Sequence, residues 1–501
     1  MHKQDNLHRL IRSMTKAEKR HFKILSVRNS KGEHNNYIML FDAIDHQEVY
    51  DEEKLRKKFR KYRFSKQIAQ TKYLLYQLIL RSLRQLHDSR TVDIQLSSML
   101  QTVEILYRRR LADQCFPILQ KAKKIAEAFE RLNACLRILD WEEQLLRSMP
   151  HKGRLANLQA LITERQEVLQ RMETETQYRL LLDQALHLNR FGHPTDDLSV
   201  SFEQMLQSPG LQKIHPESSF IAQLCYHEFH AQYHLSDGNF EKAFTYMAII
   251  HALWQAHPEQ QDLHREDHIR TMSQYIICGI NARVVEADFE AIIDELQSLS
   301  PFSEQDKKRL FLMGAILDFI YHVADQQLEM AKRVLIVIEQ LIQEQPDIVE
   351  SYWTILLHYH IGIFHFLEGA YEESLYWIEK VQQAQENEVP SHVSSYCKLI
   401  GLMIRYELGA YEVLEYDIRK VYRYLKKRKQ IGQLEGEVLN CVRRLLNVRH
   451  QRETIGIFSE LHYSLRQLEA KKSQMYRATS NAIYHWVTPK LPDEEQIYRL
   501  N

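Results

Sequence analysis

Between Lys54 and His87 the chain carries 11 Lys or Arg residues and no Asp or Glu. The densest part, KLRKKFRKYRFSK (54–66), has eight basic residues in thirteen, with Phe59, Tyr62 and Phe64 interleaved. Basic side chains neutralise phosphates, and aromatic rings stack on exposed bases. Lys57, Lys58, Arg60, Lys61, Arg63 and Lys66 are therefore candidate contacts for nucleic acid or a ribosome. A short helix followed by a long one would also allow a helix-turn-helix-like arrangement. Two other arrangements suit the same run. Phe59 and Tyr62 could be core beneath solvated charges, or the basic face could dock on an acidic protein or on the acidic remainder of this chain. A second basic cluster, Arg419–Lys429, reads more simply as the charged outer face of a helix.

The 25 histidines raise the question of a metal site. His227, His230 and His234 share a helix face, His264 and His268 flank Glu266 and Asp267, and His358, His360 and His365 cluster again. Zinc needs three or four converging ligands. No HExxH occurs, because His227 and His230 are one residue too close, so packing is expected and no metal. The six cysteines (115, 135, 225, 278, 397, 441) lie at least 20 residues apart and form no C-x-x-C. Scattered cysteines suit a reducing cytosol. The chain lacks G-x-G-x-x-G, G-x-x-x-x-G-K-[ST] and G-x-S-x-G. No catalytic residue and no cofactor is expected, and the chain does not read as an enzyme.

These groups must be carried by helices. Gly (14) and Pro (11) make about 5% of the 501 residues, against an average near 12%. A sandwich or dinucleotide-binding fold needs more turn glycine, whereas long runs of Leu, Gln, Glu, Lys, Arg and Ala favour helix. Formal net charge is zero, yet residues 1–90 hold 21 Lys and Arg against 10 Asp and Glu. The acidic remainder cancels that excess, so the balance describes neither surface. No signal-peptide core or membrane-length apolar run is visible, and a cytoplasmic location without membrane contact is expected.

Four short helices are expected in 1–90. Thr15-Lys16-Ala17-Glu18 is a capping box opening one, Asn29–Asn36 is a loop, a helix near 37–46 follows, Asp51 caps the next, and the last covers about 65–87. Residues 91–215 read as irregular helical pairs, with Leu111–Ala126 the second helix of one. Pro150, Pro194, Pro209 and Pro216 punctuate the connections. Helices near 451–470 and 473–487 close the chain, and a polar last helix would cap the array.

Gly369-Ala370-Tyr371-Glu372 recurs as Gly409-Ala410-Tyr411-Glu412, and eight of thirteen positions match across 369–381 and 409–421. Weaker echoes are Gly238-Asn239-Phe240-Glu241-Lys242-Ala243, Ala287-Asp288-Phe289, and Gln326 with Leu328 and Ala331. Markers at 238, 287, 326, 369 and 409 give a period near forty, the mark of stacked supersecondary units. Small residues at 231 and 362 would let two helices approach, while Phe240, Tyr371 and Tyr411 fill the space to the next pair.

These residues resemble the tetratricopeptide (TPR) consensus over about 216–445, and Ile361-Gly362 resembles its Leu-Gly. The chain departs from it at Leu402 and Gly401, in lacking the consensus Trp, and in its longer period. The organisation also resembles uncharacterised bacterial proteins with a small basic helical domain ahead of TPR-like repeats. The resemblance implies an all-α fold: a right-handed α-solenoid of TPR-like helical hairpins behind an N-terminal helical domain. The implied boundaries are 1–90, 91–215, 216–445 and 446–501. It places His234 and His365 at an aromatic packing position. It also implies groove-facing residues: Leu356, Tyr359, Ile363 and Phe366 in one unit, Tyr396, Leu399, Met403 and Tyr406 in the next, and Cys225, Glu228, Gln232 and Leu235 earlier. Their aromatic and Met content would suit an apolar peptide or helix. Packing on a neighbouring repeat or the N-terminal domain explains them equally well. The leading expectation is a non-enzymatic scaffold binding a protein or peptide in its groove. The alternative is a regulator that contacts nucleic acid or the ribosome through residues 54–87, with the repeats as sensor.

Overall fold

The structure is a computed structural model. It describes residues 5–28, 34–62, 64, 67–87, 91–148, 154–191, 202–207, 214, 218–236, 238–285, 287–344, 351–384, 389, 391–427, 433–448, 450–470 and 476–491. Twenty-four α-helices and no strand occur among the described residues, so the fold is all-α. The chain divides into two compact units, Met1–Met172 with Ser300–Lys308, and Glu173–Leu299 with Arg309–Asn501.

The first unit opens with α1 (Asn6–Ser13), α2 (Lys16–Arg28), α3 (His34–Asp45), α4 (Glu52–Lys58) and α5 (Ile68–His87). The capping box forms as its spacing predicts: Glu18 N donates to Thr15 Oγ1 (3.2 Å) and Thr15 N to Glu18 Oε2 (2.7 Å). Asp51 caps α4 by accepting from Lys54 N (3.0 Å). Helix α1 is an addition to the four expected. It begins where Asp5 accepts from Leu7 N and His8 N, an N-cap that the sequence reading passed over. Helix α3 begins at His34, inside the expected loop 29–36, whose residues 29–33 lie outside the described ones. Leu7, Ile11, Phe22, Leu40, Phe41, Leu55, Phe59, Ile68, Leu75 and Ile79 form one core. A second core joins α6 (Val92–Arg108), α7 (Ala112–Ala128), α8 (Leu132–Ser148) and the first part of α9 (Arg154–Phe191). Pro150, Pro194, Pro209 and Pro216 lie outside the described residues.

The second unit holds the rest of α9, then α10 (Phe202–Leu206), α11 (Phe220–Ser236), α12 (Phe240–Ala256), α13 (Pro258–Leu263), α14 (Arg265–Asn281) and α15 (Phe289–Ser298). Next come α16 (Glu304–Ala324), whose residues up to Lys308 belong to the first unit, α17 (Leu328–Glu344), α18 (Ser351–Leu367), α19 (Tyr371–Gln383), α20 (Ser391–Glu407) and α21 (Tyr411–Lys427). The last are α22 (Gln433–Leu445), α23 (Gln451–Ala470) and α24 (Arg477–Val487), with a 3-10 turn at Thr488–Lys490. Consecutive helices pack as pairs, among them α11 with α12, α18 with α19 and α20 with α21.

One joint recurs between paired helices. Gly238, Gly369 and Gly409 have φ of +69° to +77°, and each sits just past a helix end. In each, the amide of the next residue bonds to the carbonyl five residues before it: Asn239 to His234, Ala370 to His365, Ala410 to Arg405. This is the left-handed C-terminal cap that glycine favours. The same joint occurs without glycine at Arg110, Glu130, Arg283 and Gln326, with φ of +48° to +62°. There Leu111 bonds to Leu106, Arg131 to Ala126, Val284 to Gly279 and Gln327 to His322. The joint therefore lies at Arg283, whereas Ala287 lies at the start of the next helix, where Asp288 caps α15 through Ala291 N.

Gly362 shows why a small residue is needed in α18. A Cβ there would meet Ile378 Cδ1 at 2.7 Å, and Ser374 Oγ already donates to the Gly362 carbonyl at 2.7 Å. Phe240 is buried and Tyr371 half-buried, but Tyr411 is 52% exposed, so the filling role weakens toward the last unit.

Candidate partner-binding groove and basic surface

The eight groove candidates on α18 and α20 are brought together in one hydrophobic core. Leu356, Tyr359, Ile363, Phe366, Leu399 and Met403 are buried, and Tyr396 and Tyr406 are half-buried. Helix α24 packs on both α18 and α20. Its residues Ala478, Thr479, Ser480, Ala482, Ile483, Trp486 and Val487 are buried, so it is not the polar cap that the sequence suggested.

The seat is specific along its length. Tyr359 Oη and Thr479 Oγ1 share a hydrogen bond, with both residues fully buried. Trp486 stands edge-on to Tyr406 and to Phe458 (centroids 6.0 and 5.0 Å) and donates Nε1–H to Glu407 (2.6 Å). Lys490 pairs with the same carboxylate at 2.8 Å. At the other end Arg477 N donates to Asn281 Oδ1 (2.8 Å), its guanidinium pairs with Asp325, and Asn481 donates to the Ala324 carbonyl (2.6 Å). One short helix thus touches α14, the end of α16, α18, α20 and α23. Burial pushes Tyr359 well above its ordinary pKa and Tyr406 up to about 12, so both phenols stay neutral at physiological pH.

The earlier groove positions are filled differently. Cys225, Glu228 and Gln232 are buried and Leu235 is half-buried. Glu228 pairs with Arg270, and Asp267 pairs with the same guanidinium at 2.8 Å. Gln232 accepts from Asn189 (2.9 Å) and donates to Gln274 (3.2 Å). Burial lowers the Arg270 pKa and raises that of Asp267. Arg270 carries no sequence signal of this role, because an inward-facing Arg and a solvated one look alike in a helix.

The histidines pack against rings. His230 and His234 stack on Tyr246 (5.1 and 5.6 Å), His268 lies against Trp254 (4.6 Å) and His358 against Trp377 (5.1 Å). No group of three or more His, Cys, Asp or Glu is placed to hold a metal ion among the described residues. All six cysteines are free and buried, and burial pushes the thiols up, Cys225, Cys278 and Cys441 to about 12. At neutral pH these thiols are protonated and poorly nucleophilic.

In the first unit Lys57, Lys58, Arg60 and Lys61 are all exposed, at the end of α4 and the turn that follows. Arg63 and Lys66 lie outside the described residues. Phe59 is buried, Tyr62 is 42% exposed and Phe64 half-buried, the three rings packing within 5.7 Å of one another. Lys72 is different: it is largely buried, pairs with Asp5 and reaches Tyr50 and Glu52. The second basic cluster is an outer face, with Arg419, Lys420, Arg423 and Lys426 exposed. Its Arg428 and Lys429 lie outside the described residues.

No helix among the described residues is long and apolar enough to cross a membrane. No protein-family model matches the chain, and no curated protein is similar enough to match it.

Proposed function

We propose that the chain is a non-enzymatic, TPR-like helical-repeat scaffold whose inner face takes an amphipathic helix. In this reading the pairs stack as a right-handed solenoid, and the groove of α18 and α20 recognises a partner protein or peptide. The observation that carries it is the seating of α24. Groove recognition of a helix rests on apolar anchors at helical spacing with a few placed polar contacts. Thr479, Ile483 and Trp486 supply that pattern at i, i+4 and i+7; Thr479 shares a hydrogen bond with Tyr359, and Trp486 donates to Glu407. The groove's chemistry is thus that of a helix acceptor, and a partner helix of the same pattern binds by exchange with α24. Such a partner competes against a tethered occupant, so its apparent affinity is reduced by the fraction of chains with the groove open.

The test uses a labelled peptide of residues 476–491 and two full-length proteins. In one, Thr479→Arg and Trp486→Ala dislodge α24. It should bind the peptide at least tenfold more tightly than the unaltered chain by fluorescence anisotropy. A variant that keeps its helical circular dichroism yet takes up no peptide overturns the reading.

A further inference from the structure

We infer that the outer face of α5, with the basic turn before it, docks on double-stranded nucleic acid, α5 lying in the major groove of a DNA duplex. This rests on the first unit alone and does not depend on the groove reading. Helix α5 presents two faces. Ile68, Leu75 and Ile79 point into the core, and Lys72 fixes the helix through Asp5, Tyr50 and Glu52. The opposite stripe, Gln70, Tyr73, Gln77, Arg81 and Arg84, is exposed throughout. At 1.5 Å per residue it runs about 21 Å, and a helix about 10–12 Å across fits a major groove about 12 Å wide. Amide and guanidinium groups are those that read base edges there.

Charge supports the same partner. Lys57, Lys58, Arg60 and Lys61 stand exposed at the amino-terminal side of α5. Among the described residues no carboxylate pairs with any of them, whereas the neighbouring Lys54 and Arg56 are held by Asp51 and Glu52. Glu53 is the one exposed acid on α4. Four exposed cations ahead of an acid-free helix face that is polar apart from Leu74 suit a polyanion of regular shape. An acidic protein would satisfy the lysines but leave the Gln and Tyr of the stripe without complementary edges. The chain's net charge is zero, so binding to a polyanion must come from a local patch.

The full chain is titrated against a labelled 30-base-pair DNA duplex, the same sequence as a single strand, and polyglutamate. Four phosphate contacts predict a log–log salt slope of about −3.6, or about 150-fold weaker duplex binding at 200 mM than at 50 mM salt. Lys57→Glu, Lys58→Glu, Arg60→Glu and Lys61→Glu together should abolish binding and leave the circular dichroism unchanged, since Phe59 stays. Tyr73→Ala with Gln77→Ala should weaken duplex binding at least fivefold without changing the salt slope. The proposal is overturned by undiminished binding in the quadruple variant, by tighter binding to the single strand, or by polyglutamate binding as tightly as the duplex.

Discussion

The hydrogen bond between Tyr359 and Thr479 makes the seating of α24 measurable. Both residues are fully buried, so removing one hydroxyl strands the other. An unsatisfied buried hydroxyl costs about 1–3 kcal/mol, whereas removing both partners forfeits only the net bond, about 0.5–1.5 kcal/mol. Tyr359→Phe and Thr479→Val should each weaken the docking of α24 by about 1–3 kcal/mol. The double variant should cost less than the sum of the two, with a coupling of about 1–3 kcal/mol. Hydrogen exchange of the α24 amides is the suitable assay, because it reports opening of that helix without unfolding the rest. Single effects that add within about 0.5 kcal/mol would refute the reasoning, since uncoupled hydroxyls do not share a seat.

Gly362→Ala forces a methyl onto Ile378 and should cost about 1–3 kcal/mol in denaturant unfolding, and Ile378→Val, which removes the clashing Cδ1, should recover part of it. Gly369→Ala meets no atom within 4 Å, so its cost should be backbone strain alone, about 1–2 kcal/mol in the same assay. Burial holds His268, His358 and His360 at pKa values of about 4, below the unfolded 6.5. The unfolded chain then binds the extra protons, so stability should fall as pH drops from about 6.5 to 4, by about 1.4 kcal/mol per pH unit for His360 alone. His322 runs the other way: its bond to Asp318 raises its pKa, so its contribution is full below 6.5 and is lost as pH rises through the raised value. Thermal melts from pH 4 to 8 check both signs.

Much of the fold was legible because its joints are written in glycine. Gly238, Gly369 and Gly409 mark left-handed turns just past helix ends. At Arg110, Glu130, Arg283 and Gln326 the backbone adopts the same turn without the residue that signals it. Hydrogen bonding and packing of the flanking helices hold those turns, and neither is visible in composition. The basic surface was legible because an acid-free run is a property of sequence. Which lysine is buried was not: Lys72 belongs to the same run, and its partners Asp5, Tyr50 and Glu52, the first 67 residues away in sequence, set it apart from the exposed ones. The residues on α18 and α20 were legible as the apolar faces of helices, and they are buried or half-buried. What covers them was not, because Tyr359 and Thr479 are 120 residues apart and no local pattern links them.

That separation has a consequence during synthesis. Helix α18 ends at Leu367 and α24 at Val487, so about 120 further residues must be made before α24 can cover α18. At 5–20 residues per second this takes about 6–24 s. For that interval the nascent chain carries Leu356, Tyr359, Ile363 and Phe366 with their last covering helix still unmade. A ribosome-bound chaperone would meet an apolar seam that the finished molecule closes.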